Sequence, residues 1–176
     1  MLTLSYSACY DPYNTIFRMV TILNKSSNLE MFVETLKIAD FFLCFPKRLK
    51  DIKPPNSVKG MRGRCNSVLR SIARDDFEIL PSSNVLFTRM DIIQEASLSA
   101  MASKGMINVS GDEEIRKVKL DRVQLSEALE EIMSEFTSKN TGLVNLLAQD
   151  FPQIQIKGSN GLKARTGLGV YAYDTI

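Results

Sequence analysis

The sequence predicts a mainly α, α+β domain with a small β-hairpin and a winged-helix-like centre. Three observations carry this expectation. Apolar residues recur at three- and four-residue spacing in several separate segments. One of those segments, Leu36 to Leu49, runs straight into Pro46 and then into basic residues. Another is stopped by Gly105 and followed at once by a strand, a turn and a return strand. A helix feeding a two-stranded hairpin is the outline of a winged helix.

Leu2, Leu4 and Tyr6 alternate, so residues 1–10 read as a short strand. Asp11 is a good N-cap, and Pro12 sits at the first helical position, where its missing N–H leaves nothing unpaired. Ile16, Phe17, Val20 and Leu23 then share one helical face. Asn24 to Asn28 is a polar turn in which Asn28 can cap the next helix. That helix carries Leu29, Phe32, Val33, Leu36, Ala39, Phe42 and Leu43, and it ends near Pro46 because a residue before proline is driven out of the α region. Asp40 falls inside this apolar pattern, so it lies either at the helix edge or against a basic group such as Arg18.

Residues 46–63 read as a connector too polar and broken for the core, with Pro54, Pro55, Gly60 and Gly63. A basic helix over Arg64 to Asp75 follows, with Val68, Leu69 and Ile72 facing inward. Leu80 to Asn84 is a turn. The next helix, Asn84 to Lys104, has the face Leu86, Phe87, Met90, Ile93, Leu98 and Met101, and Gly105 stops it. Met106 to Val109 is a strand, Ser110 to Asp112 a turn, and Ile115 to Leu120 the returning strand. Asp121 with Gln124 resembles a capping box for a helix facing inward through Leu125, Leu129, Ile132, Met133 and Phe136. Leu143, Leu146 and Leu147 belong to a further short helix. A glycine-rich end, Gly158 to Ile176, closes with a strand over Val170 to Asp174. The whole reads as a single domain, 1–176, whose winged-helix-like centre spans about 64–120, with the basic connector before it and C-terminal helices plus a terminal strand after it.

Composition narrows the chemistry. Among 176 residues there is no histidine, which removes the commonest general base and metal ligand. The cysteines Cys9, Cys44 and Cys65 are odd in number and widely spaced, which fits structural thiols and neither a disulfide framework nor a zinc site. No apolar run is long enough for a membrane span, and no secretory signal is visible, so a cytoplasmic location is expected. Asp75-Asp76, Glu113-Glu114 and Glu130-Glu131 are neighbours that do not converge on one ligand and read as solvated surface. Gly158 to Lys163 and Thr166 to Gly169 do not fit a phosphate loop, and their glycines read as turn and packing residues. We therefore expect no catalytic residue, no cofactor and no metal site.

The net charge is only +2, but its distribution is uneven. Lys47, Arg48, Lys50, Lys53, Lys59, Arg62, Arg64, Arg70 and Arg74 stand against the single acid Asp51. The candidate contact residues are Lys47, Arg48, Lys50, Arg62, Arg64, Arg70 and Arg74, joined by Lys163 and Arg165 from the C-terminal segment. Their target is either nucleic-acid phosphates or a carboxylate-rich protein surface. The helix from Asn84 to Lys104 exposes Thr88, Asp91, Glu95, Ser99 and Ser103 beside Arg89 and Lys104, a poor set for reading a major groove. A winged-helix scaffold used for protein contact suits it better.

Four stretches together resemble a family. They are Tyr10-Asp11-Pro12-Tyr13 followed by Phe17-Arg18; Leu36 to Pro46; Leu86 to Ile107, with Phe87, Met90, Ile93-Gln94, Ala96, Leu98 and Lys104-Gly105; and Gly161-Leu162-Lys163 through Tyr173-Asp174. In this order they resemble the small middle component of prokaryotic ABC three-component systems, a group related to the accessory subunit of Lamassu-type anti-phage defence. The resemblance implies a non-catalytic adaptor bridging an SMC-like ABC ATPase and a nuclease-type effector, with possible DNA contact inside the complex. The alternative is a free-standing winged-helix DNA-binding regulator.

Overall fold

A computed structural model of the chain describes residues 6–72, 80–112 and 115–168. The first described residues, Tyr6–Tyr10, wind into a 3-10 turn, whereas the alternation of Leu2, Leu4 and Tyr6 suggested a strand; Leu2 and Leu4 lie outside the described residues. Asp11 caps helix α1 (Pro12–Lys25) as expected, accepting a hydrogen bond of 2.8 Å from the Asn14 amide. Met19, Val20, Ile22 and Leu23 are buried along it.

Asn28 does not cap the second helix. Asn28 and Leu29 take left-handed φ values of 57° and 58°, which reverses the chain into a short strand, β1 (Glu30–Phe32). Asparagine tolerates that conformation better than most residues. The pull on this segment is tertiary, since β1 adds to the hairpin and so takes Leu29 and Phe32 away from the helix. Helix α2 (Val33–Cys44) then ends before Phe45 and Pro46. It is buried on all sides, except that Glu34 is half-exposed.

The segment after α2 joins the core more than its polarity suggested. Pro46–Asp51 forms a 3-10 helix, and Leu49, Ile52 and Val58 are buried. Helix α3 (Met61–Ser71) starts at Met61, three residues before the expected Arg64. Gly60, at φ 75°, makes the left-handed turn into it. The expected continuation from Arg74 to Asp75 lies outside the described residues.

Helix α4 (Ser83–Ser103) is capped by Ser82 and closed by Gly105 at φ 69°. Strands β2 (Ile107–Gly111) and β3 (Arg116–Leu120) pair antiparallel with Val109 opposite Val118. β1 pairs on the other edge of β3, with Met31 opposite Val118. The sheet order is therefore β1-β3-β2. Gly111 has φ 99°, and a Cβ there would lie 2.1 Å from the Ile115 carbonyl oxygen, so the hairpin needs glycine at that position. The molecule is thus mainly helical with one small antiparallel sheet. α4 and the hairpin lie within 64–120, while β1, α1 and α2, which complete their packing, come before it.

Asp121 caps only a single 3-10 turn, Arg122–Gln124, through the Val123 amide. The helix expected from it, α5 (Glu127–Lys139), is capped instead by Ser126, and Ile132 on the expected inner face is 56% exposed. Helix α6 (Thr141–Asn145) runs on through a wide turn at Leu146–Asp150 and a 3-10 turn at Phe151–Gln153. A short last helix, α7 (Leu162–Thr166), follows. The terminal strand expected over Val170 to Asp174 lies outside the described residues.

The core centres on Phe41. Its ring packs near-perpendicular on Phe42 and Phe87, with centroids 5.1 and 5.8 Å away, and tilts onto Phe45. Phe42 carries the contact on to Phe151 at 5.6 Å. Each such ring contributes roughly 1.5–3 kcal/mol by burial, and edge-to-face pairs add to it.

Candidate functional site

Two polar systems hold the helices in register, and a third group of cations faces outward. The first system is fully buried. Arg18 of α1 bonds Asp40 of α2 through Nε at 2.6 Å and through Nη2 at 3.3 Å. Gln94 of α4 donates to the same carboxylate at 2.8 Å and to the Lys37 carbonyl at 3.0 Å. The remaining guanidinium protons go to the carbonyls of Ala8 and Cys9 and to the Thr15 hydroxyl. One residue from each of three helices thus meets at a fully buried point. Burial alone would push the Arg18 pKa down, but the Asp40 carboxylate outweighs it and the net shift is upward. Of the two places left open for Asp40, the structure takes the pairing with Arg18.

The second system is a chain of ion pairs whose hub, Lys37, is buried while its partners reach the surface. Lys163 of α7 reaches Glu34 at 2.8 Å. Glu34 lies 3.9 Å from Lys37, which pairs with Asp91 and, at 2.9 Å, with Glu95. Glu95 is also clasped by both terminal nitrogens of Arg116 on β3, at 2.6 and 3.1 Å. The Arg116 hydrogen bonds, assisted by Lys37 and opposed by partial burial, hold the Glu95 carboxyl down at about 2. This chain ties α2, α4, α7 and the hairpin together.

The predicted contact residues divide sharply. Lys163 belongs to the chain just described. Arg165 donates to the carbonyls of Asn160 and Lys53, fastening the C-terminal segment to the loop after α2. Arg48 donates to the Pro81 carbonyl at 2.7 Å. Arg64 pairs with Asp150 at 2.6 Å and donates to the Lys59 carbonyl, and the Asp150 hydrogen bond raises its pKa. These four cations serve the fold. Lys47 and Lys50 are exposed on the 3-10 helix. Arg62 and Arg70 are exposed on α3 and form no ion pair among the described residues. Arg74 lies outside the described residues, as do Asp75-Asp76 and Glu113-Glu114.

Between α3 and the junction of α5 with α6 lies a surface cleft of about 530 Å³, with Arg64 at its α3 wall. Ser67 and Ser71 line one side, and Ser138, Lys139, Thr141 and Asn145 the other. The outer face of α4 is different in kind. Val85, Thr88, Ile92, Ala96 and Ser99 are exposed there, with Ile92 74% accessible.

All three cysteines are free and buried. Burial pushes the Cys65 thiol up to about 11 and the Cys44 thiol well above its ordinary range, so both are protonated at neutral pH. Among the described residues no group of histidine, cysteine, aspartate or glutamate side chains is placed to hold a metal ion. No described helix is long and apolar enough to cross a membrane.

The sequence model of the ABC-three component (ABC-3C) system Middle Component 5 family matches residues 4–174. The chain belongs to that family. No curated protein and no solved structure matches it. As a middle component of a three-component ABC system, the chain has partners in a complex. Sequence reasoning missed the ion-pair chain through Lys37, Glu95 and Arg116, whose members are far apart in the sequence and show no periodic signal.

Proposed function

We propose that this middle component is a non-catalytic adaptor, bridging an SMC-like ABC ATPase and a nuclease-type effector in a prokaryotic anti-phage complex akin to Lamassu-type systems. Family membership over residues 4–174 is the observation that carries the reading. The polar geometry supports it, since the buried Arg18–Asp40–Gln94 contact and the Glu95 chain both act to fix helices rather than to present reactive groups. Such a rigid body holds two partners at a set distance. The outer face of α4 suits a protein partner, because Ile92 near its middle and Val85 in its first turn give apolar area and no row of cations flanks them.

The test is co-expression with the ATPase and effector encoded beside the chain. The three proteins are expected to elute as one species, and Ile92→Asp is expected to release one partner while leaving the fold intact. Separate elution of the unmodified chain would overturn the reading.

A second reading, a free-standing winged-helix DNA-binding regulator, is favoured by one observation. The order α1, β1, α2, α4, β2, β3, with β3 between β1 and β2, is compatible with a winged helix that carries α3 as an insertion. In that arrangement α4 would enter the major groove, yet its outer face offers Val85, Ile92 and Ala96. Sequence-specific duplex binding lost on substitution along α4 would establish this reading instead.

A further inference from the structure

Helix α3 carries a feature that the adaptor reading does not use. Its sequence, MRGRCNSVLRS, contains no acid. Met61, Cys65 and Val68 face the core, so Arg62, Asn66 and Arg70 form one exposed, slightly tilted stripe, with Gly63 and Ser67 along its edge. Lys59 stands exposed just before the helix. Among the described residues, Asp150 is occupied by Arg64 at 2.6 Å and Glu135 by Lys139 at 2.6 Å, and neither Arg62 nor Arg70 forms an ion pair. The stripe therefore keeps its positive potential.

We infer that this face of α3, from Lys59 to Arg70 and continuing into the cleft beside it, binds the phosphodiester backbone of duplex nucleic acid without reading its sequence. Four observations select this occupant. First, the exposed side chains are arginine, asparagine, serine and lysine, the types that contact phosphate oxygens. Second, no exposed apolar residue lies on α3 to form the centre of a protein interface; the accessible Ile92, Val85, Ile132 and Val123 are all on other elements. Third, α3 has no aromatic side chain, so it cannot stack on the bases of a single strand. Fourth, Arg62 and Arg70 are about 12 Å apart along the helix axis, which is about the width of a major groove. The helix can lie across a groove with one guanidinium on each flanking strand. Gly63 and Ser67 are small enough to admit the backbone between them, and Ser71, Ser138, Thr141 and Lys139 in the cleft extend the polar track.

This inference stands apart from the adaptor reading, because it concerns the purified chain alone. The experiment is fluorescence anisotropy of a labelled 20-base-pair duplex titrated with the full chain at low salt and at several higher salt concentrations. We expect a dissociation constant of about 10⁻⁴–10⁻⁶ M, indifferent to sequence, with log K falling against log salt at a slope of about −2 to −3 for two to three phosphates. Arg62→Ala with Arg70→Ala should weaken binding at least ~10-fold and flatten the slope by about 2. Lys25→Ala with Lys119→Ala removes the same charge elsewhere and should leave both unchanged. Circular dichroism of all three proteins checks that each is folded. Four results would each overturn the inference: no binding at low salt, equal losses in the two double variants, tighter binding of a single strand than of the duplex, or polyglutamate competing as well as DNA at equal charge. The last would assign the stripe to an acidic protein.

Discussion

Helices α2 and α3 follow one another in the chain and use their polar residues in opposite ways. α2 is buried almost throughout, and its single interior carboxylate, Asp40, is satisfied by α1 and α4 together. α3 buries only Met61, Cys65 and Val68 and leaves Arg62 and Arg70 in solvent. An internal charge must be met on every side, because its removal from water is opposed by several kcal/mol. An external charge need not be met at all. The difference teaches where this molecule can change: α2 holds the architecture, and α3, Arg64 apart, is a surface whose charges the fold does not require.

The sharpest way to break this comparison is to unpair the buried contact. Asp40→Ala leaves the Arg18 guanidinium inside the core without its counter-charge, and Arg18→Ala does the same to Asp40. Each is expected to destabilise by about 3–5 kcal/mol, which for a chain of this size lowers Tm by roughly 6–20 °C. Asp40→Asn should be nearly as damaging, since it keeps the shape and loses the charge. Replacing Arg18 by Met and Asp40 by Leu together should recover most of the stability. Thermal unfolding of the five proteins checks this, and full loss in the double variant would show that the hydrogen bonds to Ala8, Cys9 and Thr15 matter more than the pair.

Phe41→Ala probes the apolar half of the same helix. The ring touches Phe42, Phe45 and Phe87, so its removal leaves a void between α2 and α4. Loss of about 3–5 kcal/mol is expected in denaturant titration, without a change in the α3 surface.

Much of this division was legible in the residues. Asp11-Pro12 fixed the start of α1, Pro46 marked the end of α2, and Gly105 ended α4. These are local signals of capping and backbone geometry, which act within a few residues. The errors came where distant contacts decide. β1 exists because β3 is there to pair with it, and nothing in Glu30-Met31-Phe32 announces that partner. Asp121 and Ser126 are both good caps, and Asp121 opens only a 3-10 turn while Ser126 opens α5. The candidate cations show the same limit. Composition identified the basic stretch after α2, but only the fold reveals that Arg48, Arg64, Lys163 and Arg165 are spent on internal contacts while Arg62 and Arg70 are not.

Glu95 offers a test of intermediate size, between core and surface. Its folded pKa of about 2 lies below the ordinary glutamate value, through Arg116 first and Lys37 after it. A depressed folded pKa means that the unfolded chain binds the proton more readily. The contribution is therefore complete above about pH 5, given an unfolded value of ~4.3, and it disappears as pH falls toward 2. Glu34 and Asp91 also face Lys37, so the effect is shared and modest. The stability gap between the parent chain and Glu95→Gln should be largest at neutral pH and should close across that window. A gap that stayed constant down to pH 2 would mean that the Arg116 contact does not depend on the glutamate charge.

The smallest expected effect on stability is the most informative about α3. Arg62→Ala and Arg70→Ala, singly or together, should change unfolding stability by no more than about 0.5 kcal/mol. Neither side chain has an ion-pair partner among the described residues, and alanine is the better helix former, so any shift should favour the folded state. Arg64→Ala, between them on the same helix, should be measurably worse, because it strands Asp150, whose side chain is only 8% exposed. The three substitutions remove the same charge from the same helix. If chemical denaturation ranks Arg64 alone as costly, the fold needs one arginine of α3 and leaves Arg62 and Arg70 free for a partner. Were Arg62 or Arg70 to rank with Arg64, the contrast between α2 and α3 would be one of degree, and the outer stripe would belong to the architecture too.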